Sequence, residues 1–310
     1  MRVVMTGGTS GIGFEALKSM LSRGVVNPIV GLRDPSKLPA ELKGKVDARV
    51  LDLASLDSVR AFAQSIGAER IDRLILNAGV QAPIDEKSAD GYNLTFAVNH
   101  LAHFMLMRLL SPNMLPDSRI IFTASGTHDP AAETGMPAPR HTDIQKLAFP
   151  DQDADLDRRK GTAGRRAYSA SKLCNVMTVR ELAIREAERR VKLCSMAFDP
   201  GFVPETRLTR SYPGIVGWVF RNILPKIVKG DGVSTVSQSG RYLADMVLSK
   251  AYSEEFGTYW SVREGYLRNI APSKVARNHV ACAALWNETE IMLDLVPEYT
   301  VPIFTEMVAR

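Results

Sequence analysis

Cysteine is scarce in this chain, and long apolar runs are missing from it. The three cysteines, Cys174, Cys194 and Cys282, lie far apart and lack the spacing of a metal site. Such a set favours reduced thiols, so we expect a cytoplasmic protein with no bound metal. Nowhere do about 18 or more uncharged apolar residues run together, which argues against a transmembrane helix. The first strand begins almost at Met1, so we expect no signal peptide.

An excess of one sign of charge is also missing. The 39 Lys and Arg residues are interspersed with 34 Asp and Glu residues, for a net charge of +5. No long basic run marks a nucleic-acid surface, so we expect no nucleic-acid partner. The hydrophobic share of 45% and the length of 310 residues suit one large α/β domain spanning residues 1–310.

Short apolar strands alternate with helical patterns along most of the chain. We predict strands near 3–5, 28–32, 48–51, 73–76, 119–123, 191–197 and 257–261, and longer helices near 56–66, 91–110, 168–189 and 234–246. This order predicts an α/β fold, a doubly wound parallel sheet with helices on both faces. Proline and charge interrupt the pattern over 128–166, which predicts a long surface insertion.

A second irregular stretch covers residues 202–232. Its apolar helical stripe predicts a cap over an apolar substrate pocket, which would exclude water from the reaction. Weak contact with a membrane surface is the alternative, although the stripe is short and contains Arg221 and Lys226. The tail beyond it carries Leu285 and Trp286, and we expect it to dock as a helix.

A glycine-rich turn joins the first strand to the first helix. Glycine permits positive φ there and lets backbone N–H groups approach a pyrophosphate at a helix N-terminus. Because the turn follows the first strand of an α/β chain, we interpret it as a dinucleotide site, with an ordinary tight connection as the alternative. The residues assigned to the phosphates are Gly7, Thr9, Ser10, Gly11, Ile12 and Gly13.

The end of the second strand distinguishes the two nicotinamide cofactors. NAD-specific folds place an acid there, which binds the ribose 2′-hydroxyl. The expected position holds Leu32, and the guanidinium of Arg33 after it can pair with a 2′-phosphate. Asp34, one place later, is the competing candidate for the acid. We predict NADP(H) as the cofactor; the alternative interpretation of Arg33 is a solvated surface arginine.

Tyr168 and Lys172 are four residues apart in a helical pattern and therefore share one face. A nearby ammonium stabilises phenolate, so we expect it to lower the pKa of the tyrosine from its reference value near 10. A tyrosine tuned in this way can exchange a proton with a carbonyl oxygen as hydride is transferred. The spacing is common by chance, and the alternative is a surface pair.

In its motifs and their order, the chain resembles the short-chain dehydrogenase/reductase family along nearly all of its length. The matching segments are Thr6-Gly7-x-x-x-Gly11-Ile12-Gly13, Asn77-Ala78-Gly79, Asn99 in an Asn-His-Leu-x-His-Phe run, Ser125, Tyr168-x-x-x-Lys172 and Pro200-Gly201. The resemblance implies a Rossmann fold with a seven-stranded parallel sheet.

The resemblance also implies roles for individual residues. Ser125 would hydrogen-bond the substrate oxygen, and Tyr168 would be the general acid/base. Lys172 would hold the nicotinamide ribose and bias Tyr168, while Asn99 would anchor a water that relays protons to bulk solvent. The residues that would contact the rest of the cofactor are Asp52 and Leu53 at the adenine, Asn77, Ala78 and Gly79 at the ribose, Val203 at the carboxamide through its backbone, and Pro200, Gly201 and Thr206. Glu205 stands where the family's threonine is expected, one place before Thr206.

Within the family, the chain is most similar to the group of light-dependent protochlorophyllide reductases and retinol-dehydrogenase-like enzymes. The shared segments are 51–60, 99–104, 171–175 and 257–261, together with the long insertion before Tyr168. Two departures concern cysteines of the protochlorophyllide reductases, which Phe202 and Leu76 replace here. Phe202 cannot donate a proton, so we expect a different, bulky apolar substrate, with light-dependent reduction of protochlorophyllide as the alternative.

A third hypothesis is a non-catalytic regulator that senses NADPH. The set Asn99, Ser125, Tyr168 and Lys172 argues against it, because a sensor needs no acid/base relay. The assembly is expected to be a monomer or a homodimer. The resemblance implies dimers formed through the helices that hold Asn99 and Tyr168, a surface that the insertion would block.

Overall fold

The computed structural model describes residues 1–188, 192–204 and 233–295. Within these residues the strands are β1 (Val3–Thr6), β2 (Ile29–Leu32), β3 (Asp47–Val50), β4 (Ile71–Leu76), β5 (Met114–Thr123), β6 (Cys194–Asp199), β7 (Phe256–Arg263) and β8 (Tyr266–Asn269). They form one sheet in the order β3-β2-β1-β4-β5-β6-β7-β8. All neighbours in the sheet are parallel except β7 and β8, which pair antiparallel.

The helices connect these strands. They are α1 (Gly11–Ser22), α2 (Leu56–Ile66), α3 (Leu94–Phe96), α4 (Ala102–Leu110), α5 (Ile144–Ala148), α6 (Lys160–Glu188), α7 (Val236–Leu248) and α8 (His279–Met292). A π-helical turn, Ala97–Leu101, joins α3 to α4. In the described part of the chain, no helix combines the length and the apolar character needed to cross a bilayer.

Alternate residues of the strands pack on opposite faces of the sheet. Ile120 and Phe122 of β5 belong to a core that includes side chains of α2, α4 and α6. Ile121, between them, belongs to a second core with α1 and α7. Because both faces are buried, the strands read as continuous apolar runs rather than alternating ones. The predicted doubly wound sheet with helices on both faces is confirmed.

The sheet has one strand more than the resemblance implies. Strand β8 is the antiparallel edge strand of a hairpin with β7, closed between Arg263 and Tyr266. The two turn residues, Glu264 and Gly265, both have positive φ, 51° and 76°. A two-residue turn of this kind matches the twist of a hairpin. The sequence analysis misses β8, because Glu-Gly is a weaker hairpin signal than Asn-Gly.

The predicted surface insertion over 128–166 contains two α-helical segments. Ile144 and Ala148 of α5 are each 1% exposed and belong to the core beside α4 and α6, which corrects the prediction of a purely surface segment. Helix α6 begins at Lys160, so its first turns also fall within this stretch. The sequence pattern is hidden because α5 has only five residues, too few to show a helical period.

The C-terminal helix docks as expected. Trp286 of α8 packs edge-on against Phe104 of α4, with ring centres 4.8 Å apart. Arg108 of α4 pairs with Glu290 of α8 at 2.5 Å. Helix α8 therefore packs on α6 and reaches α4 through these two side-chain pairs. Of the predicted cap over 202–232, only residues 202–204 are described, so Thr206 lies outside the described residues.

Candidate active site

The turn between β1 and α1 has a crowded inner side and an open outer side. A β-carbon on Gly7 would lie 2.8 Å from the backbone nitrogen of Ala78, and one on Gly13 would overlap the carbonyl oxygen of Gly7. Gly11 differs, because its φ is +57° and a β-carbon there would meet nothing within 4 Å. Small residues thus bring the backbone close to β4, while the outer side can receive a ligand.

Helix α1 begins directly behind this turn. Ser10 occupies the N-cap position, but its side chain makes no capping hydrogen bond. The first-turn amides are therefore uncapped by Ser10, and a helix N-terminus favours a negative group. Ser10 is exposed, and Thr9 and Ile12 are half-buried. These residues fit the pyrophosphate of a dinucleotide, which their backbone N–H groups would hold.

Two charged side chains follow β2 and differ in their surroundings. The Asp34 carboxylate accepts hydrogen bonds from the amide and the hydroxyl of Ser36 at 3.0 and 2.6 Å, and Lys37 lies 3.3 Å away. These hydrogen bonds lower the pKa of Asp34. Arg33 is exposed, and within the described residues it makes no hydrogen bond or ion pair. The acid is already engaged, whereas the guanidinium is accessible.

The residues assigned to the adenosine half follow β3 and β4. Asp52 is half-buried and accepts a hydrogen bond from its own loop at 3.0 Å, and Leu53 beside it is buried. Asn77 donates to the carbonyl of Gly7 at 3.1 Å and accepts from the hydroxyl of Thr123 at 3.0 Å. Asn77 therefore ties the glycine-rich turn, which we call the phosphate turn for its predicted role, to the end of β5, where the predicted catalytic residues begin.

Three of the predicted catalytic side chains meet beside the carboxyl end of β5. The Ser125 hydroxyl lies near the phenol of Tyr168, close enough to lower its pKa. The Lys172 ammonium lies 5.6 Å from the centre of the Tyr168 ring and donates to the carbonyl oxygen of Thr123 at 2.9 Å. Tyr168 and Lys172 are buried on one face of α6. The structure thus brings a phenol, a hydroxyl and a cation together at one point.

Burial dominates the proton affinities of this group. It raises the pKa of Tyr168 above the usual value, while the hydrogen bond with Ser125 lowers it and the charge of Asp199 raises it. Burial also lowers the pKa of Lys172 to about 8, although the charge of Asp199 raises it. The lowering expected from Lys172 is therefore wrong: the pKa of Tyr168 is raised, because desolvation penalises the phenolate.

Asn99 lies in the π-helical turn and is fully buried. Its side chain accepts from the amide of Val80 at 2.8 Å and donates to the carbonyl of Val80 at 2.9 Å and to Ser171 at 3.0 Å. Its own carbonyl oxygen lies 3.0 Å from the amide of Asn175 and 3.1 Å from Nδ1 of His103. These bonds join α4 to α6. The water that the resemblance assigns to Asn99 stays a prediction.

Asn175 is the polar residue of this region to which the sequence analysis assigns no role. Its side-chain amide donates to the carbonyls of Asn99 at 3.0 Å and Thr123 at 3.4 Å. The second of these is also the acceptor of Lys172. Asn175 thus contacts the elements that carry Asn99, Ser125 and Lys172. Its position three residues after Lys172, on the same helical face, is the signal that could have identified it.

His103 links the catalytic side to the phosphate turn. The Thr6 hydroxyl accepts hydrogen bonds from the amides of Asn77 and Ala78 at 3.0 and 3.1 Å. Its own proton is then available to Nε2 of His103, 2.9 Å away. Nδ1 of His103 therefore carries the ring proton and donates to Asn99. Burial supports this neutral form, because it lowers the pKa of His103 to about 3.

The segment after β6 approaches the same edge of the sheet. The amide of Gly201 donates to the carboxylate of Asp199 at 3.0 Å, and Val203 is buried. The carbonyl of Phe202 accepts from the amide of Ser234 at 3.0 Å, which fixes the start of the segment, although the Phe202 side chain is 42% exposed. The structure therefore brings all the assigned residues except Thr206, which lies outside the described residues, to the carboxyl edge of the sheet.

Fold and site together define a Rossmann-type oxidoreductase, and comparison with known proteins identifies its family. The family model for short chain dehydrogenases matches residues 1–135. A chloroplastic protochlorophyllide reductase of Chlamydomonas reinhardtii is 31% identical over 305 residues, with 92% of this chain and 75% of the relative covered. A protochlorophyllide reductase of Avena sativa is 30% identical, with 84% and 88% covered. The chain belongs to the short-chain dehydrogenase/reductase family, which confirms the resemblance seen in the motifs.

Solved structures agree on the fold. An uncharacterized protein from Mycobacterium Paratuberculosis superposes with a TM-score of 0.67 at 24% identity, covering 94% of this chain and 93% of its own. A short-chain dehydrogenase/reductase from Burkholderia multivorans with bound NADP gives a TM-score of 0.56 at 20% identity, covering 84% and 98%. At these identities the likeness shows the fold alone.

Proposed function

We propose that this oxidoreductase uses NADPH to transfer hydride to or from a carbonyl or alcohol group of a bulky apolar substrate. The observation that carries the proposal is the meeting of Tyr168, Ser125 and Lys172 beside β5. NADPH, when bound, supplies the hydride, so the protein must orient the carbonyl and deliver one proton. The Tyr168 hydroxyl gives that proton to the carbonyl oxygen and takes it back in the reverse direction.

The other residues of the group support this proton transfer. The Ser125 hydroxyl lies near the Tyr168 phenol and would share the substrate oxygen with it. Lys172 is held at the carbonyl of Thr123, so its charge stays beside Tyr168 as phenolate develops. Because burial favours the protonated phenol, Tyr168 is kept as an acid at neutral pH, which suits reduction of the carbonyl.

The choice of NADPH over NADH rests on Arg33. Its exposed guanidinium would pair with the 2′-phosphate, whereas the acid that would prefer a 2′-hydroxyl is engaged with Ser36 and Lys37. The proposal of an apolar substrate rests on Phe202, whose side chain is half-exposed next to Gly201. We further propose a cytoplasmic location. The protein would be a monomer or homodimer without nucleic-acid or firm membrane partners. Packing of α8 on α6, and of Trp286 on Phe104 of α4, favours the monomer.

Light-dependent reduction of protochlorophyllide is the second candidate, favoured by relatives that carry this name and share 28% to 31% identity with the chain. Against it stand the two positions at which the resemblance leads us to expect cysteines. One holds Phe202, which cannot donate a proton, and the other holds Leu76, which is fully buried. We therefore favour the dark reaction.

Absorbance spectroscopy distinguishes the two reactions. The protein would be mixed with NADPH and benzil, a bulky apolar diketone, in the dark, and separately with NADPH and protochlorophyllide, before and after illumination. We expect NADPH oxidation with benzil and no pigment conversion. A light-dependent conversion of the pigment would replace the first candidate by the second. Bound NADPH with neither reaction, across a panel of apolar aldehydes and ketones, would contradict both.

A further inference from the structure

A buried carboxylate that has no role in the proton transfer above lies at the end of β6. Asp199 is 1% exposed. One of its oxygens accepts hydrogen bonds from the Tyr259 hydroxyl at 2.9 Å and the Ser261 hydroxyl at 2.7 Å, and the other accepts from the amide of Gly201 at 3.0 Å. All three partners are donors, which suits the ionised carboxylate, because that form can only accept.

Arg263 supplies a compensating charge. Its guanidinium lies 3.9 Å from the Asp199 carboxylate, and its side chain is 29% exposed. A buried charge is costly unless it is paired and hydrogen-bonded, and Asp199 has both forms of compensation. Replacing Asp199 alone would leave its donors and the Arg263 charge without their partner, so the carboxylate holds these neighbours in place.

The carboxylate also lies directly beneath the loop that carries Ser125. A β-carbon on Gly126 would be 3.2 Å from Asp199 and 3.3 Å from Arg263. The same loop is also held by His128, whose Nδ1 lies 2.8 Å from the Ser125 carbonyl. The His128 ring packs edge-on against Tyr259, the residue that donates to Asp199, with ring centres 4.8 Å apart.

We propose that Asp199 is a positioning residue of the reaction: it fixes the Ser125 loop and the Gly201 turn relative to each other from below the active site. The inference rests on the proposed function and deepens it, because these two segments would hold the substrate oxygen and the nicotinamide end of the cofactor. Tyr259 and Ser261 anchor the carboxylate to β7. The Ser125 loop and the Gly201 turn are therefore both held in place against one strand of the sheet.

The charge acts on the acid/base pair as well. Asp199 raises the pKa of both Tyr168 and Lys172. The other groups that face this region are Lys172 on α6, Tyr259 and Arg263 on β7, and His128, whose pKa burial lowers. Removing the negative charge should therefore lower the pKa of Tyr168. Since reduction needs the protonated phenol, the alkaline limb of the rate profile would move to lower pH.

The first test compares Asp199→Asn with Asp245→Asn, a surface carboxylate on α7 that pairs with Arg23 at 2.6 Å. Asn keeps the shape of the side chain and removes the charge. With NADPH and benzil, we expect Asp199→Asn to lower kcat by about tenfold or more, through misplacement of the reacting groups, and to shift the alkaline limb downward. Asp245→Asn should match the unsubstituted protein. A rate and pH profile unchanged by Asp199→Asn would overturn the proposal.

A second readout needs no turnover and separates this inference from the proposed function. Hydrogen–deuterium exchange would be followed in peptides that contain residues 123–129 and 199–203. Asp199→Asn should speed exchange of the Gly201 amide and of the Ser125 loop by about tenfold, because local opening becomes easier. Tyr259→Phe is the second variant, for use if Asp199→Asn does not fold. It keeps the ring against His128 but removes a donor to Asp199, so it should also speed exchange. Unchanged exchange in both variants would contradict the positioning role even in an inactive protein.

Discussion

Two regions lie on the same edge of the sheet but are built differently. One is the phosphate turn, and the other is the cluster that we call the catalytic corner for its proposed role, made of Asn99, Ser125, Tyr168, Lys172 and Asn175. The turn consists of backbone and glycine, with Ser10 exposed and Gly11 facing open space. The catalytic corner consists of side chains, among which Asn99 and Asn175 are fully buried and bonded to each other's segments. A backbone-built site depends on the absence of side chains, whereas a side-chain-built site depends on each partner being present.

This difference decides which substitutions each region tolerates. In the turn, any added atom on the inner side meets backbone, which cannot move away cheaply. In the corner, an isosteric residue without the right donor leaves buried acceptors unpaired, which costs about 1 to 3 kcal/mol per group. The predictions below test the comparison in order of expected effect.

Gly13→Ala should have the largest effect on cofactor binding. Its new β-carbon would overlap the Gly7 carbonyl oxygen, so the turn must shift, and we expect the Kd for NADPH to rise by about 100-fold. Gly161→Ala, in the first turn of α6 with nothing within 4 Å, is the matched control and should leave the Kd unchanged. Fluorescence titration with NADPH measures both. Equal affinities would show that the turn is not built as described.

Asn175→Leu tests the side-chain-built region. The variant removes the donor to the Asn99 and Thr123 carbonyls and the acceptor of His100, 3.2 Å away. We expect a loss of about 2 kcal/mol in the free energy of unfolding, measured in urea, and slower turnover with benzil. Asn287→Leu, which removes an exposed acceptor of Arg185, should cost little. Similar losses in the two variants would deny Asn175 its linking role.

His103→Gln tests the neutral histidine. The pKa of His103 is about 3 in the folded protein, below its ordinary value of about 6.5. As the pH falls below about 6.5, the unfolded chain binds a proton that the folded protein does not bind, so the stability of the fold decreases. Between about pH 7 and about pH 5, the histidine should account for about 2 kcal/mol of that loss. His103→Gln keeps an acceptor for Thr6 and should show a shallower decline in urea unfolding. The same slope in both proteins would contradict the assignment.

Arg33→Ala should have the smallest effect. The loss of one charge-assisted contact to the 2′-phosphate should reduce the preference for NADPH over NADH by about tenfold. Asp34→Ala is the control, and it should leave the preference unchanged because its carboxylate is engaged with Ser36 and Lys37. Competitive titration with the two cofactors gives the ratio. A shift with Asp34→Ala alone would reassign the recognition of the ribose.

Much of this architecture could be predicted from the sequence because it follows local rules. The glycine spacing and the Tyr168–Lys172 pair are short-range patterns, and helix α2 was predicted at its observed bounds, 56–66. Contacts between distant segments leave no such pattern. The hydrogen bonds of Asn175 to Asn99 and of Tyr259 to Asp199 join residues 76 and 60 positions apart. The effect of burial on Tyr168 is equally invisible before the core is assembled.

Tyr168→Phe tests the central claim most directly, with Tyr266→Phe on the exposed edge strand as its control. Turnover of benzil and binding of NADPH would be measured on both variants and on the unsubstituted protein. We predict that Tyr168→Phe lowers turnover by about 100-fold or more, the usual contribution of a positioned acid, while the Kd for NADPH stays within about threefold, a difference of less than 1 kcal/mol. Turnover equal to that of Tyr266→Phe would contradict the role of Tyr168 as the proton donor.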